Sequence, residues 1–242
     1  YTAFTGGGAY RWRPEEGSES QVAEQGVVLT GAAYLRNTDR SLESGSLDLS
    51  YSLALTSNQF FTVGVQGTDD DLRETFELSD DAWVPVGRYR GLEGRVNYTM
   101  PTRYPVRSNV VVTAGRFFDG TRWSVLLSPF WTPSPRFKVT GAYQANYITF
   151  GARDQTFTAH VARMQTEFML DTRVTLSSLI QYNSAADDLS MNARLRINPR
   201  EGRDLYIVYS ESLRTDLGMS AVLPPRSRGR TLLIKYSQTL FP

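Results

Sequence analysis

The chain has 242 residues, 40% hydrophobic, 21% charged and 12% aromatic, and its 26 Lys and Arg against 25 Asp and Glu leave a formal net charge of +1. That balance excludes disorder and, with no basic stripe anywhere, a nucleic-acid footprint. Cysteine is absent, which removes disulfides, thiolate chemistry and zinc-thiolate sites and fits an envelope protein, and no run of about 18 apolar residues writes a transmembrane helix.

Helical periodicity is missing, whereas period-2 alternation recurs from end to end. Phe4 to Arg13 and Gln25 to Arg36 alternate loosely, and Ser46 to Thr56 alternates cleanly, with Leu47, Leu49, Tyr51, Leu53 and Leu55 against Ser46, Asp48, Ser50 and Ser52. A tight turn at Thr56-Ser57-Asn58 leads into Gln59 to Gly67, and Thr68 to Arg88 reads as a long acidic loop holding Asp69-Asp70-Asp71 and Asp80-Asp81. Next come Arg90 to Met100, Asn109 to Phe117, a two-residue hairpin turn at Asp119-Gly120, and Arg122 to Trp131. After the turn Thr132 to Arg136, Phe137 to Tyr147 sets Phe137, Val139, Tyr143, Ala145 and Tyr147 against Lys138, Thr140, Gln144 and Asn146. Thr156 to Phe168 loses its phase at Arg163, and Thr172 to Asn183 follows. In Leu189 to Asn198, Leu189, Met191, Ala193, Leu195 and Ile197 fall on one side and Ser190, Asn192, Arg194, Arg196 and Asn198 on the other. Asp204 to Ser212 is apolar on both faces, and Thr231 to Phe241 is the last segment.

These are about thirteen segments of roughly 10 to 12 residues, twice an ordinary soluble strand and close to what crosses a bilayer on a tilt. Compact turns alternate with more exposed loops, the asymmetry of periplasmic turns and external loops in outer-membrane barrels. If the polar face of Leu189 to Asn198 met lipid, Arg194 and Arg196 near mid-depth would each cost roughly 2–4 kcal/mol. The opposite orientation carries no such cost, so the sequence predicts an all-β, antiparallel transmembrane barrel of the outer-membrane type, about 13 strands here and 14 to 16 in the complete wall. The polar face then lines the inside: Asp48, Glu93, Arg95, Arg122, Lys138, Gln144, Arg173, Gln181, Asn192, Arg194, Arg196 and Lys235. Their mixed signs allow either a water-filled passage or pairs that close it. A soluble antiparallel sandwich alternates in the same way, but thirteen long strands in an open sheet need their edges blunted, and few Pro or Lys residues are placed to do that. An odd count predicts at least one further strand upstream of Tyr1, as in a mature or truncated chain forming a single barrel domain at the C-terminal end of a longer protein.

The C-terminal third resembles a known family. Gln181-Tyr182-Asn183, a polar loop, Asn192-Ala193-Arg194-Leu195-Arg196, a turn with Pro199 and Gly202, and the strand Asp204 to Tyr209 are similar to the membrane-barrel domain of bacterial outer-membrane proteins whose N-terminal part is a family-9 carbohydrate-binding-like module. The resemblance implies a C-terminal barrel, an outer-membrane location and an upstream sugar-binding-like module; it implies no activity. The terminal Phe241-Pro242 departs from the usual barrel ending on an aromatic residue.

No residue set predicts an enzyme, a metal site or a cofactor. His160 is the single histidine. A barrel-type lipid hydrolase would need a serine and an orienting amide beside it, with Ser177, Ser178, Gln144 and Asn146 on adjacent strands as the candidates. Carboxylates at Asp69 to Asp71 and Asp80-Asp81 lack the spacing of a calcium loop and read as solvated. Gly6 to Tyr10 reads as a thin strand where another backbone or a plug comes close, Asn97-Tyr98-Thr99 as an accidental glycosylation-type triplet, and Pro224 to Arg230 as a basic external loop within reach of lipopolysaccharide phosphates. The expected role is a non-enzymatic outer-membrane protein, a passive channel or the anchor of an upstream binding module, in contact with outer-membrane lipid and lipopolysaccharide. The alternative is a scaffold subunit that docks other envelope proteins, with a plugged lumen.

Overall fold

The computed structural model describes residues 1–15, 17–79, 82–215 and 226–239. Every alternating segment is a strand: β1 (Thr2–Trp12), β2 (Val22–Leu35), β3 (Leu42–Leu55), β4 (Phe60–Leu72), β5 (Phe76–Ser79), β6 (Ala82–Val84), β7 (Gly87–Thr99), β8 (Val106–Phe117), β9 (Gly120–Ser134), β10 (Phe137–Phe150), β11 (Gln155–Met169), β12 (Val174–Asn183), β13 (Asp188–Arg200), β14 (Arg203–Arg214) and β15 (Ser227–Gln238). Thirteen of them build one antiparallel sheet in the order β1-β2-β3-β4-β7-β8-β9-β10-β11-β12-β13-β14-β15, so chain neighbours are sheet neighbours, and β5 with β6 forms a separate two-stranded hairpin. β1 and β15 are the sheet's edges. A strand of about 13 residues is about 43 Å long and rises about 30 Å when tilted by about 45°, the thickness of a bilayer's hydrocarbon.

The segment expected as a long acidic loop is largely strand. β4 runs on to Leu72 and β7 starts at Gly87, because the register sets Asp69 opposite Arg90 and Asp71 opposite Arg88, so the carboxylates find guanidinium groups across the ladder instead of water. Asp80 and Asp81 lie outside the described residues, as do Pro224-Pro225 and Phe241-Pro242. Where Pro224 to Arg230 was expected as a loop, Ser227 onward is strand: Arg228 sits 3.6 Å from Asp188 and Arg230 3.0 Å from Glu211. At the expected Asp119-Gly120 turn the left-handed residue is Phe118, at φ 50. Gly120 instead opens β9, where an added Cβ would run into the carbonyl oxygen of Thr149 and lie 2.6 Å from the Phe150 ring.

The chain divides into two compact units, Tyr1–Arg103 with Asn109–Leu126 and Ala145–Thr158, and Tyr104–Ser108 with Leu127–Gln144 and Ala159–Pro242. The first contains a small apolar cluster, Val84, Ile148 and Phe150, fully or almost fully buried and ringed by Leu72, Leu78, Tyr89, Phe117, Phe118 and Phe157. Away from it, burial is inverted relative to a water-soluble sheet. Leu92 is 60% exposed while its chain neighbour Glu93 is 8% exposed. In β3 the same holds for Leu47, Leu49 and Tyr51 against the half-buried Ser46, Asp48, Ser50 and Ser52. In the second unit, Leu127, Trp131, Tyr143 and Met164 are exposed.

Candidate functional site

The register identifies the polar face residue by residue. In the first unit Asp48 stands opposite Gln66, which stands opposite Glu93, which stands opposite Gly115; Ser50, Gly64 and Arg95 form the next row. Two of the expected positive charges lie across this face as bridges that skip a strand. Arg95 of β7 reaches over β4 to Asp48 of β3, with Nη2 2.9 Å from Oδ2. Arg122 of β9 reaches over β8 to Glu93 of β7, its Nε donating to Oε1 at 2.8 Å and its Nη2 to Oε2. Under each bridge the intervening strand has a glycine, Gly64 and Gly115. Strands are about 4.8 Å apart, so an arginine can span two spacings only where no side chain stands between. At Gly115 an added Cβ would run into the carbonyl oxygen of Leu92 and lie 2.6 Å from Glu93 Cα.

In the second unit the polar face is held by shorter links. Asn192 Nδ2 donates to Ser210 Oγ at 2.7 Å, and Arg196 Nε donates to Asp204 Oδ1 at 2.8 Å. The register resolves the segment that was apolar on both sides: Ala193 faces Tyr209 and Leu195 faces Ile207 on the apolar side, whereas Arg196 faces Tyr206 on the polar side. There the guanidinium of Arg194 sits 4.4 Å above the Tyr206 ring, so an aromatic on the wet face is a cation–π partner. Lys138 of β10 is 5.9 Å from the Phe130 ring of β9, and Arg107 of β8 is 3.6 Å from it. Gln181 faces both Ser190 and Arg163, which restores Arg163 to the polar phase. Lys235 faces Tyr206 and is exposed. Gln144, next to the outward Tyr143, takes the polar side. Arg173 lies in the turn before β12, where its amide donates to Asp171 Oδ1 at 2.7 Å.

The opposite face is apolar, and its few polar groups satisfy one another. Tyr143 Oη and His160 Nδ1 are 2.9 Å apart with stacked rings, Thr166 Oγ1 and Ser178 Oγ are 2.7 Å apart, and Tyr51 Oη donates to Gln25 Oε1 at 2.6 Å. His160 thus stands on the apolar side, away from Gln144, and Ser178 is committed to Thr166 while Ser177 faces Arg194 on the polar side. The expected geometry for a serine hydrolase is not assembled. Aromatic rings gather where strands end: Trp131, Phe137 and Phe168 in edge-on contact at 6.0 and 6.3 Å, and in the first unit Trp12 against Tyr51 and Phe61 stacked on Tyr98 at 4.7 Å. β9 shows the whole band in one strand: its outward residues are Trp123, Val125, Leu127, Pro129 and Trp131. The two tryptophans are about 27 Å apart along such a strand, or about 20 Å in height at a tilt of about 40°.

Outside the sheet's middle, Arg36 Nη1 donates to Asp71 Oδ2 at 2.7 Å, Arg88 Nε to Asp69 Oδ1 at 2.6 Å, and Arg73 pairs with Asp39. The Arg73 guanidinium, with the hydroxyl and amide of Ser41, holds the Asp39 carboxyl well below the usual carboxylate range. At a connection between later strands, the amides of Arg173 and Val174 lower Asp171 in the same direction. Among the described residues no cluster of His, Asp and Glu could hold a metal ion. Gly7 is the one residue of the glycine run that is closely approached, by the Leu29 carbonyl oxygen at 2.7 Å from an added Cβ.

No protein-family model matches the chain, and no curated protein does. Among solved structures the chain aligns with the NanC porin, in a rhombohedral crystal form, at a TM-score of 0.33 and 11% sequence identity, over 82% of this chain and 94% of the porin chain.

Proposed function

We propose that the chain is the membrane wall of a bacterial outer-membrane β-barrel protein without enzymatic activity, a passive channel or the membrane anchor of an upstream binding module. The observation that carries this reading is the inversion of burial, with Leu92 60% exposed beside Glu93 at 8%. In water such a molecule would present a continuous apolar surface far larger than a soluble monomer tolerates. Hydrocarbon removes that cost, and it also explains why Tyr143 pairs with His160 and Thr166 with Ser178, since a polar group facing lipid has no water to turn to. An antiparallel ring takes an even number of strands, so at least one more completes the wall. Outer-membrane lipid and lipopolysaccharide would be its surroundings.

Several polar-face arginines are neutralised, Arg95 by Asp48, Arg122 by Glu93 and Arg196 by Asp204. Among the described residues Lys138, Arg163, Arg194 and Lys235 stand on this face without such a bridge, against Glu167, and the positive excess favours a weak anion preference. Planar-bilayer recordings on the detergent-purified protein test this: anion-selective conductance supports the channel, a folded barrel without conductance supports the anchor, and a protein monodisperse in plain buffer overturns both.

A further inference from the structure

We propose that the β5–β6 hairpin is a built-in plug, folded back over the polar face so that it obstructs the passage at the end where β4 stops and β7 begins. The inference rests on the channel reading above.

The hairpin packs against residues of the polar side. Tyr89 stands opposite Asp70, four residues before Glu93 on the same face, and Phe117 follows Gly115, the residue opposite Glu93, by two. Against these rings and against Ile148 and Phe150, the hairpin places Val84, and Val84 and Phe150 are both 0% exposed. On a face otherwise lined by charges and amides, these side chains are large and apolar yet shielded more completely than the ion-paired Glu93, which is 8% exposed. A hairpin lying outward along the apolar band would have covered Leu92 instead, which is 60% exposed.

The position is held at several points. Tyr89 Oη donates to the Pro85 carbonyl at 2.9 Å, tying down the hairpin's return arm. Phe118 adopts φ 50, costly for a bulky side chain, with its ring edge-on to Tyr89 at 5.4 Å and tilted against Phe76 of β5 at 6.2 Å. Directly below, Arg122 lies 4.4 Å over the Phe117 ring while it pairs with Glu93, so the apolar plug rests on the charged bridges without a gap in partners. An apolar cluster on a wet face is stable only when covered, and the hairpin is what covers it.

The test compares the full chain with two variants in planar bilayers: one in which residues 75–85 are replaced by a short Gly-Ser linker, and the point variant Val84→Asp, which puts a charge into the buried cluster. Heat-modifiable gel migration and detergent-dependent solubility are measured on all three, so loss of the membrane barrel itself is read separately. The plug predicts several-fold higher conductance for both variants than for the parent. Because the chain lacks cysteine, Phe150→Cys adds a second readout: it resists a membrane-impermeant maleimide in the parent and reacts in the Val84→Asp background. Equal conductance of parent and variants in intact barrels, or a Phe150→Cys thiol that reacts freely in the parent, overturns the proposal.

Discussion

Among the described residues Glu93 is the buried charge of the polar face, and its partner arrives from two strands away. Removing Arg122 leaves that carboxylate shielded and uncompensated, so Arg122→Ala is expected to cost about 3 kcal/mol in urea unfolding from lipid vesicles. Arg122→Ala with Glu93→Gln recovers part of it, which a double-mutant cycle measures. Gly115→Ala is expected to destabilise as well, because its Cβ has no room beside Leu92 and Glu93, whereas Gly94→Ala, with its nearest neighbour at 3.8 Å, is tolerated. At the connection Arg36 to Ser41, Asp39 titrates below its unfolded value of about 3.9. Its tie to Arg73 therefore contributes at every pH above that value and is lost as pH falls through the lower folded value. Limited proteolysis should leave this loop intact at mildly acid pH and cut it only in strong acid, and Asp39→Asn should expose it at neutral pH; a parent loop cut equally at all pH values contradicts this.

A strand of this molecule carries its surroundings in its parity. On β9 the residues Val125, Leu127 and Pro129 face outward and Ser124, Leu126 and Ser128 the other way. Leu127→Arg is expected to lose about 2–4 kcal/mol of stability in a bilayer, and Ser128→Arg much less, measured by urea titration of folding into vesicles; equal losses would contradict the orientation. Parity is also what made the elements legible in sequence, since every expected segment is found as a strand and a one-residue slip would have exchanged its faces. Where local chemistry overrode parity, sequence reading was blind. Tyr206 and Val208 share a face with Arg194 and Arg196, and only the register reveals the first as a cation–π partner. The β5–β6 hairpin is too short for alternation to show, and the acidic residues before it disguised the end of β4 as a loop.

At the scale of the whole molecule, which charges sit on the polar face was readable from alternation, but which of them cancel was not. Asp48 with Arg95 and Glu93 with Arg122 are bridges over glycines between strands that are not neighbours, a relation no sequence spacing encodes. What survives cancellation, Lys138, Arg163, Arg194 and Lys235 among the described residues, should set selectivity. Arg194→Gln with Lys235→Gln is expected to lower the chloride-to-potassium permeability ratio without changing barrel stability, read from reversal potentials, whereas Asp48→Asn should raise it by freeing Arg95. The central claim is that hydrocarbon covers the outward row of Leu, Val and Trp side chains. Single-cysteine spin labels placed from Thr121 to Pro133 in the vesicle-reconstituted protein test it most directly. High oxygen and low water-soluble-reagent collision are expected at the odd positions, deepest at Leu127, and the reverse at the even ones; odd positions freely reached by the aqueous reagent would mean that water, not hydrocarbon, covers that face.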